Sequence, residues 1–372
     1  MKLLTTAHSF FLITSLLLNS PVSATKKTTT TTSTTATTAS ATATASPSGT
    51  ISNGPFPADL NGSNFTYPFP VKLYKFVSQG LNLEMAFMDV PPKPTTSTTT
   101  TTPAKTALLL HGKNFCGPTW NTTILALTAA GYRVIVPDQI GFCKSSKPGS
   151  HYQFSLQQMA LNTHSLLATL SITSNVTVIG HSMGGMLTAR YGLMYASSIA
   201  NLAMVNPIGL EDWKALGVPY LSIDANFATE RASTYGSIRG YEQATYYVGT
   251  WAPAYDVWVN MLVNIYQGSK AVAYAEGQAR VVDMVLTQPV VYEFGLLTPR
   301  TLLVIGDKDN TAIGKAWSPP DVQAKLGHYD VLGKQVAAVI PNCTLVEFAD
   351  LGHAPQIQDP DRFHEALLSW LG

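Results

Sequence analysis

A short apolar segment that runs into a glycine-rich turn constrains the fold of this chain more than any other feature. Residues 176–185 read VTVIGHSMGG, a strand-like run that ends in the pattern G-x-S-x-G centred on Ser182. A tight turn from strand to helix presents a serine hydroxyl to a substrate, and the flanking glycines leave room for neighbouring backbone. The following helix points its first N–H groups at negative charge developing there. Ser182 is therefore the candidate nucleophile.

Three further segments decide between this interpretation and a serine that only caps a helix. Residues 106–112, TALLLHG, read as a strand that ends in His-Gly. Residues 301–309, TLLVIGDKD, read as a strand that ends in carboxylates, and residues 343–353 read as a strand followed by a histidine. The candidate serine, aspartate and histidine thus follow one another in an order known from one large class of hydrolases.

With these segments in this order, residues 70–372 resemble the α/β-hydrolase superfamily, in its serine-nucleophile branch with a helical cap. The resemblance implies an α/β fold with a mostly parallel central sheet and helices on both faces. It also implies a triad of Ser182, Asp309 in a G-x-x-D turn, and His353 in the sequence LGHAP. Asp307 is the alternative acid, although we expect its carboxylate to bond to its own turn.

The resemblance extends to two loops. His111-Gly112-Lys113 is similar to the family's oxyanion loop, which implies that the backbone N–H groups of Lys113 and Met183 bind the oxyanion. Residues 138–148, DQIGFCKSSKP, are similar to the family's D-x-x-G-x-G-x-S-x-x-P loop, with Cys143 in place of the second glycine. We expect His111, and His181 beside the serine, to bond to backbone and pack rather than to act as bases.

Two segments are expected to lie over the candidate site. Residues 208–297 are too many for one crossover and resemble the family's helical cap. The cap is rich in aromatic residues, which favours a largely apolar, partly aromatic pocket. Trp251 and Trp258 are the first candidates to face that pocket. Residues 311–327 are predicted to be an additional loop near the site.

The N-terminal part of the chain predicts secretion. Residues 1–24 combine a positive start, a short apolar run and small residues, which is typical of a cleaved signal peptide; a retained signal anchor is the alternative. Residues 25–52 are dominated by Thr, Ser and Ala and are predicted to be disordered, as an O-glycosylated spacer or as low complexity without function. The hydrolase domain is predicted to span residues 53–372. A second Thr-rich tract, residues 94–103, is predicted to be an extended hairpin loop.

Sequons and cysteines also bear on whether the protein is secreted. Five sequons support a secreted or surface-associated glycoprotein, although a Thr-rich chain produces several by chance. Cys116 and Cys143 lie on loops that the fold brings to one end of the sheet, so they form either a disulfide or two thiols. Cys343 is expected to be buried in a strand and free. The sequons begin at Asn61, Asn64, Asn121, Asn175 and Asn342.

Charge and composition restrict the partners. The chain has 23 Lys and Arg against 22 Asp and Glu, so nothing points to a nucleic acid. Its histidines show no metal-like spacing, and the resemblance implies neither a metal nor an organic cofactor. We expect a small-molecule substrate and no stable membrane insertion after signal cleavage. The sequence makes no prediction of the oligomeric state.

The predicted function is that of a secreted serine hydrolase. It would cleave a carboxylic ester or lactone in a largely apolar substrate through an acyl-enzyme intermediate. A C–C bond hydrolase, a perhydrolase or a peptidase of the same fold would use the same triad. A non-catalytic secreted ligand-binding protein is the alternative from a different class.

Overall fold

A computed structural model of the chain describes residues 48–94 and 105–372. These residues contain one nine-stranded sheet, which forms the framework of the fold. The strands are β1 (Gly49–Asn53), β2 (Val71–Ser78), β3 (Leu81–Val90), β4 (Thr106–Leu110), β5 (Arg133–Pro137), β6 (Val176–His181), β7 (Ile199–Val205), β8 (Arg300–Gly306) and β9 (Cys343–Phe348).

The sheet has an antiparallel edge and a parallel body. Its strand order is β1-β2-β3-β5-β4-β6-β7-β8-β9, and every pair from β5 to β9 is parallel. Strands β4 and β6 are buried along their whole length, as expected of parallel strands that are covered on both faces. Because β6, β7, β8 and β9 are parallel neighbours, their carboxyl ends meet at one edge of the sheet, where the candidate site lies.

Helices cover both faces of the sheet, and the side chains of β4 alternate between two cores. Ala107 and Leu109 pack in the core that contains the helices α1 and α11, whereas Leu108 and Leu110 pack in the core that contains α2 and α3. The predicted mostly parallel central sheet with helices on both faces is therefore confirmed. The helices are α1 (Asn121–Ala129), α2 (Leu156–Thr169), α3 (Met183–Tyr195), α4 (Ile223–Arg231), α5 (Tyr235–Thr245), α6 (Asp256–Tyr266), α7 (Ala271–Thr287), α8 (Pro320–Gln323), α9 (Tyr329–Val339), α10 (Pro355–Gln358) and α11 (Pro360–Leu371).

The cap consists of the four helices α4 to α7, which lie between β7 and β8 in the chain and within the predicted insertion at residues 208–297. Helix α4 packs on α7, and α6 packs on both α5 and α7. Ser222 and Thr234 begin α4 and α5 by accepting hydrogen bonds from the backbone three residues on. In the described ranges, no helix is both long and apolar enough to cross a bilayer.

The structure corrects two predictions about the Thr-rich tracts. Residues 49–52 belong to β1, which pairs with β2, so the predicted disordered segment at 25–52 extends too far. Ile51 packs against the core, and this apolar contact holds the strand in place although the residues around Ile51 are small and polar. The tract at 94–103 does not close a hairpin, because β5 lies between β3 and β4 in the sheet. Residues 1–47 and 95–104, including the predicted signal peptide, lie outside the described residues.

Candidate active site

Ser182 occupies a strained turn between β6 and α3. Its backbone has φ 59° and ψ −122°, a conformation that non-glycine residues rarely adopt. The turn requires glycine on both sides. A Cβ on Gly180 would lie 2.0 Å from the carbonyl oxygen of Gly184, and one on Gly184 would lie 2.1 Å from that of Leu110. The flanking backbone therefore packs too closely for any side chain at these two positions, and the turn places Ser182, which is itself buried, at the carboxyl end of β6.

His353 and Asp309 form a buried pair. The Nδ1 atom of His353 donates to Oδ2 of Asp309 over 2.6 Å, and both side chains are fully buried. The proton on Nδ1 leaves the other ring nitrogen, Nε2, as an acceptor. Within the described residues, Nε2 has no hydrogen-bond partner. The imidazole is therefore oriented by the carboxylate with one nitrogen available to take a proton.

Asn206 also holds the carboxylate of Asp309, a role that was not predicted from the sequence. Its amide Nδ2 donates to Oδ2 of Asp309 over 3.0 Å, and its Oδ1 accepts from the backbone of Gly306 over 3.0 Å. The backbone of Thr311 donates to Oδ1 of Asp309 over 2.8 Å. The only sequence signal was the position of Asn206 directly after β7, at the edge where β6 and β8 deliver the other groups.

Asp307, the alternative acid, lies elsewhere. The structure places the carboxylate of Asp309, not that of Asp307, against His353. Burial raises the pKa of Asp307, and the nearby Glu347 carboxylate raises it further. We expected its carboxylate to bond to its own turn, but the buried Oδ1 atom has no hydrogen-bond partner among the described residues.

The two other histidines near the serine form hydrogen bonds with backbone groups, as predicted. His111 donates from Nδ1 to the carbonyl of Gly112 over 2.8 Å and accepts at Nε2 from the backbone of Gln139 over 3.0 Å. His181 donates from Nε2 to the carbonyl of His353 over 2.7 Å, which ties the histidine loop to the serine turn. Burial lowers the pKa of both His111 and His181, so both rings are neutral at neutral pH.

The loop after β4 lies against the candidate nucleophile. A Cβ on Gly112 would come within 2.8 Å of Cβ and 3.2 Å of Oγ of Ser182, so only glycine fits there. The next residue is Lys113, and Met183 is the first residue of α3. The two predicted oxyanion donors are thus the residues that directly follow Gly112 and Ser182.

The loop after β5 is joined to the same region by a disulfide between Cys116 and Cys143, with 5.8 Å between the Cα atoms. This resolves the alternative that the sequence left open. Cys143 has φ 44°, in the left-handed region where the family pattern has glycine. Asp138 anchors the loop by accepting from the backbone of Gly117 over 2.9 Å and of Lys144 over 3.0 Å. Cys343 is free, but it is half-buried rather than buried.

The cap contacts the histidine through Tyr246, which follows α5. Its ring stacks on the ring of His353 with 4.8 Å between the centroids, and its carbonyl accepts from the backbone of His353 over 3.1 Å. The side-chain amide of Asn114 donates to the hydroxyl of Tyr246 over 2.9 Å. Tyr246 therefore connects the histidine to the loop that follows β4.

A cavity of about 670 Å³ lies between that loop and the cap. Lys113 and Asn114 line it on the side of the loop, whereas Ser182 and His353 are not among its lining residues. Trp317, in the predicted additional loop, also lines it. Trp251 and Trp258 do not, so both first candidates were wrong: Trp251 packs on Tyr247 and Tyr255 instead. Trp251 lies between α5 and α6, where helical periodicity does not apply, and for Trp258 on α6 periodicity does not distinguish the two buried sides of the helix. The cap residues in the lining are Asn226, Ala228, Thr229, Glu230, Ala232, Ser233, Ser237, Ile238, Tyr241, Leu262, Tyr266 and Val282.

Comparisons with known proteins agree with this architecture. A family model for the alpha/beta hydrolase fold matches residues 107–360. The crystal structure of a probable hydrolytic enzyme from Pseudomonas aeruginosa PAO1 is 53% identical, with a TM-score of 0.79, and the match covers 83% of this chain and 96% of that chain. Lipase 1 of Psychrobacter immobilis is 27% identical over 258 residues, 68% of this chain and 73% of that protein. An esterase from Exiguobacterium antarcticum, at 19% identity, has a TM-score of 0.59 over 78% of this chain and 96% of that chain. The chain therefore belongs to the α/β-hydrolase family.

Proposed function

We propose that this protein is a serine hydrolase that cleaves a carboxylic ester or lactone through an acyl-enzyme intermediate. The proposal rests on the strained turn at Ser182 and on the buried pair of His353 and Asp309, which His181 ties to that turn through its bond to the carbonyl of His353. The similarity to a lipase supports ester hydrolysis, and the similarity to a probable hydrolytic enzyme supports hydrolysis in general.

The first half of the reaction forms the acyl-enzyme. Nε2 of His353 takes the proton of Ser182 as Oγ bonds to the carbonyl carbon, and Asp309 holds the imidazole in the productive tautomer. The backbone N–H groups of Lys113 and Met183 bind the oxyanion of the tetrahedral intermediate. The bond from the carbonyl carbon to the leaving oxygen then breaks, and His353 passes its proton to that oxygen, which leaves as an alcohol.

The second half releases the acid. A water molecule gives one proton to Nε2 of His353 and bonds to the acyl carbon, which again forms a tetrahedral oxyanion. The bond to Oγ of Ser182 breaks, and the proton returns to the serine. No step needs an oxidant, a reductant or a cofactor, because each proton and electron pair is exchanged among substrate, water and the three side chains.

The largely apolar substrate remains part of the proposal. Ile238, Leu262, Val282 and Trp317 line the cavity, and burial of apolar surface there favours a substrate with an aliphatic or aromatic part. Secretion is also proposed, on the basis of the residues before β1 and of the sequons. The disulfide between Cys116 and Cys143 supports an oxidising compartment.

Hydrolysis of a graded series of esters tests the proposed function. We expect the purified protein to hydrolyse p-nitrophenyl esters of increasing acyl length with a single optimum, because the cavity limits the chain that fits. Vinylogous diketones and a peroxide-dependent halogenation assay serve as comparisons. Turnover of the diketones with no ester hydrolysis would instead indicate a C–C bond hydrolase.

A further inference from the structure

A largely buried ion pair lies in the wall of the cavity. The ammonium of Lys113 contacts Oε1 of Glu230 at 2.7 Å, and the two side chains are only 14% and 11% exposed. The hydroxyl of Tyr266 donates to the other oxygen of Glu230. One carboxylate at the end of α4 therefore joins the loop beside Ser182 to two cap helices, and all three of these residues line the cavity.

One N–H donor of the pair is unused. An ammonium has three N–H donors, and Lys113 directs one to Glu230 and a second, at a long 3.5 Å, to Oδ1 of Asn114. Within the described residues no acceptor takes the third. Both oxygens of Glu230 already accept a hydrogen bond. A ligand that fills the cavity therefore meets a charged N–H group that needs an acceptor once water leaves.

A purely alkyl chain would leave that donor unsatisfied, which is costly for a charged group. An oxygen atom of the substrate would satisfy it. A carboxylate is a poor candidate, because Glu230 lies beside the donor and would repel it. A neutral carbonyl, ether or hydroxyl oxygen meets both requirements.

We propose that the side chain of Lys113 determines specificity by binding a neutral oxygen of the substrate a few atoms from the reacting carbonyl. This rests on the proposed function, because the backbone N–H of the same residue is the proposed oxyanion donor. Four methylenes separate its ammonium from its Cα atom, so the two donors recognise groups several ångströms apart. The substrate class is thus an ester with an oxygen-bearing chain, not a plain alkyl ester.

Two matched substrate pairs test this inference. On the acyl side, p-nitrophenyl 4-oxopentanoate is compared with p-nitrophenyl pentanoate. On the alcohol side, 4-oxopentyl acetate is compared with pentyl acetate. In each pair the chain length is equal, and two or more methylenes insulate the reacting ester from the ketone. The readout is the ratio of kcat/KM for the oxo ester to that for its alkyl partner.

We expect the wild type to prefer the oxo ester in at least one pair, and Lys113→Met to lower that ratio about 10-fold or more. A general loss of activity in the variant cancels in the ratio. Lys315→Met is the matched control, because Lys315 donates to the carbonyl of Leu326 over 2.9 Å and lies outside the cavity lining. The double variant Lys113→Met/Glu230→Gln leaves no unpaired buried charge, and it replaces Lys113→Met if that variant does not fold.

Equal ratios in the wild type and the variants, for both pairs, would overturn the inference while leaving ester hydrolysis intact. Failure of the proposed function has a different signature. In that case the wild type would hydrolyse neither member of either pair, and a fluorophosphonate would not label Ser182.

Discussion

At the scale of single residues, the carboxylate of Asp309 is the best-anchored group of the site. It receives hydrogen bonds from His353, from Asn206 and from the backbone of Thr311. With both oxygens occupied, the carboxylate cannot rotate without breaking a bond. The geometry therefore fixes which nitrogen of His353 carries the proton.

Asparagine at position 309 should remove that control. Its amide cannot accept the Nδ1 proton and keep the bonds to Asn206 and Thr311, so the imidazole loses its productive tautomer. We expect Asp309→Asn to lower kcat by about 10⁴-fold. Asp307→Asn is the matched control and should have a mild effect, because Asp307 does not contact His353. The reverse ranking in steady-state ester hydrolysis would assign the acid to Asp307.

At the scale of loops and helices, Cys143 shows how a disulfide stabilises a turn. Its left-handed φ of 44° costs a non-glycine residue about 1 kcal/mol, and the disulfide with Cys116 closes a segment with a sequence separation of 27. Such a closure contributes about 3.5 kcal/mol to the free energy of unfolding.

Two double variants separate these effects. Both Cys116→Ala/Cys143→Ala and Cys116→Ala/Cys143→Gly lose the disulfide, but only the second relieves the left-handed conformation. We expect the glycine variant to be more stable than the alanine variant by about 1 kcal/mol in denaturant unfolding, and both to be less stable than the wild type. An alanine variant as stable as the glycine variant would show that the turn relaxes without the disulfide.

A buried carboxyl on helix α5 of the cap should make the stability of the protein depend on pH. Glu242 is buried, one of its oxygens has no partner among the described residues, and burial raises its pKa to about 8 from the usual 4.5. Between these values the folded protein keeps a proton that the unfolded chain has released. Below both values the carboxyl is protonated in the folded and the unfolded chain, so the raised pKa does not change the free energy of unfolding there. That free energy falls as pH rises through this window.

Glutamine at position 242 should remove this dependence. We expect the difference in melting temperature, Glu242→Gln minus wild type, to increase from about pH 4.5 to about pH 8. Above about pH 8 this difference should stay constant. Glu365→Gln, at an exposed position of α11, is the control. Melting curves of wild type and Glu242→Gln that shift in parallel with pH would contradict a buried neutral carboxyl at this position.

At the scale of the whole molecule, the elements that carry the site were predictable because their signals are local. The strand-turn-helix at Ser182 is set by glycines two positions away, and the continuous apolar strands β4, β6 and β8 identify a covered parallel sheet. Contacts across the fold were not predictable. The bond from Asn206 to Asp309 joins residues 103 positions apart, and the sides of the cap helices that face the cavity depend on tertiary packing.

The sequons also concern the whole molecule, because N-glycosylation would show that the chain enters the secretory pathway. Asn64, Asn175 and Asn342 are exposed, whereas the amide of Asn61 donates to the carbonyl of Lys144 over 2.9 Å. If the protein is secreted from its native host, we expect a mature N-terminus near Thr25. Enzymatic removal of N-glycans should then lower the apparent mass, and Asn342→Gln should remove more of that shift than Asn61→Gln. Unglycosylated protein that retains residues 1–24 and is recovered from the cytosol would contradict secretion.

Labelling and activity of a Ser182 variant show directly whether Ser182 is the nucleophile of an ester hydrolase. Wild type and Ser182→Ala are treated with a fluorophosphonate probe and assayed in parallel with a p-nitrophenyl ester. We expect the wild type to be labelled at Ser182, and the folded alanine variant to be unlabelled with kcat lowered by about 10⁶-fold. A folded Ser182→Ala protein that retains most of the ester hydrolysis would contradict the claim.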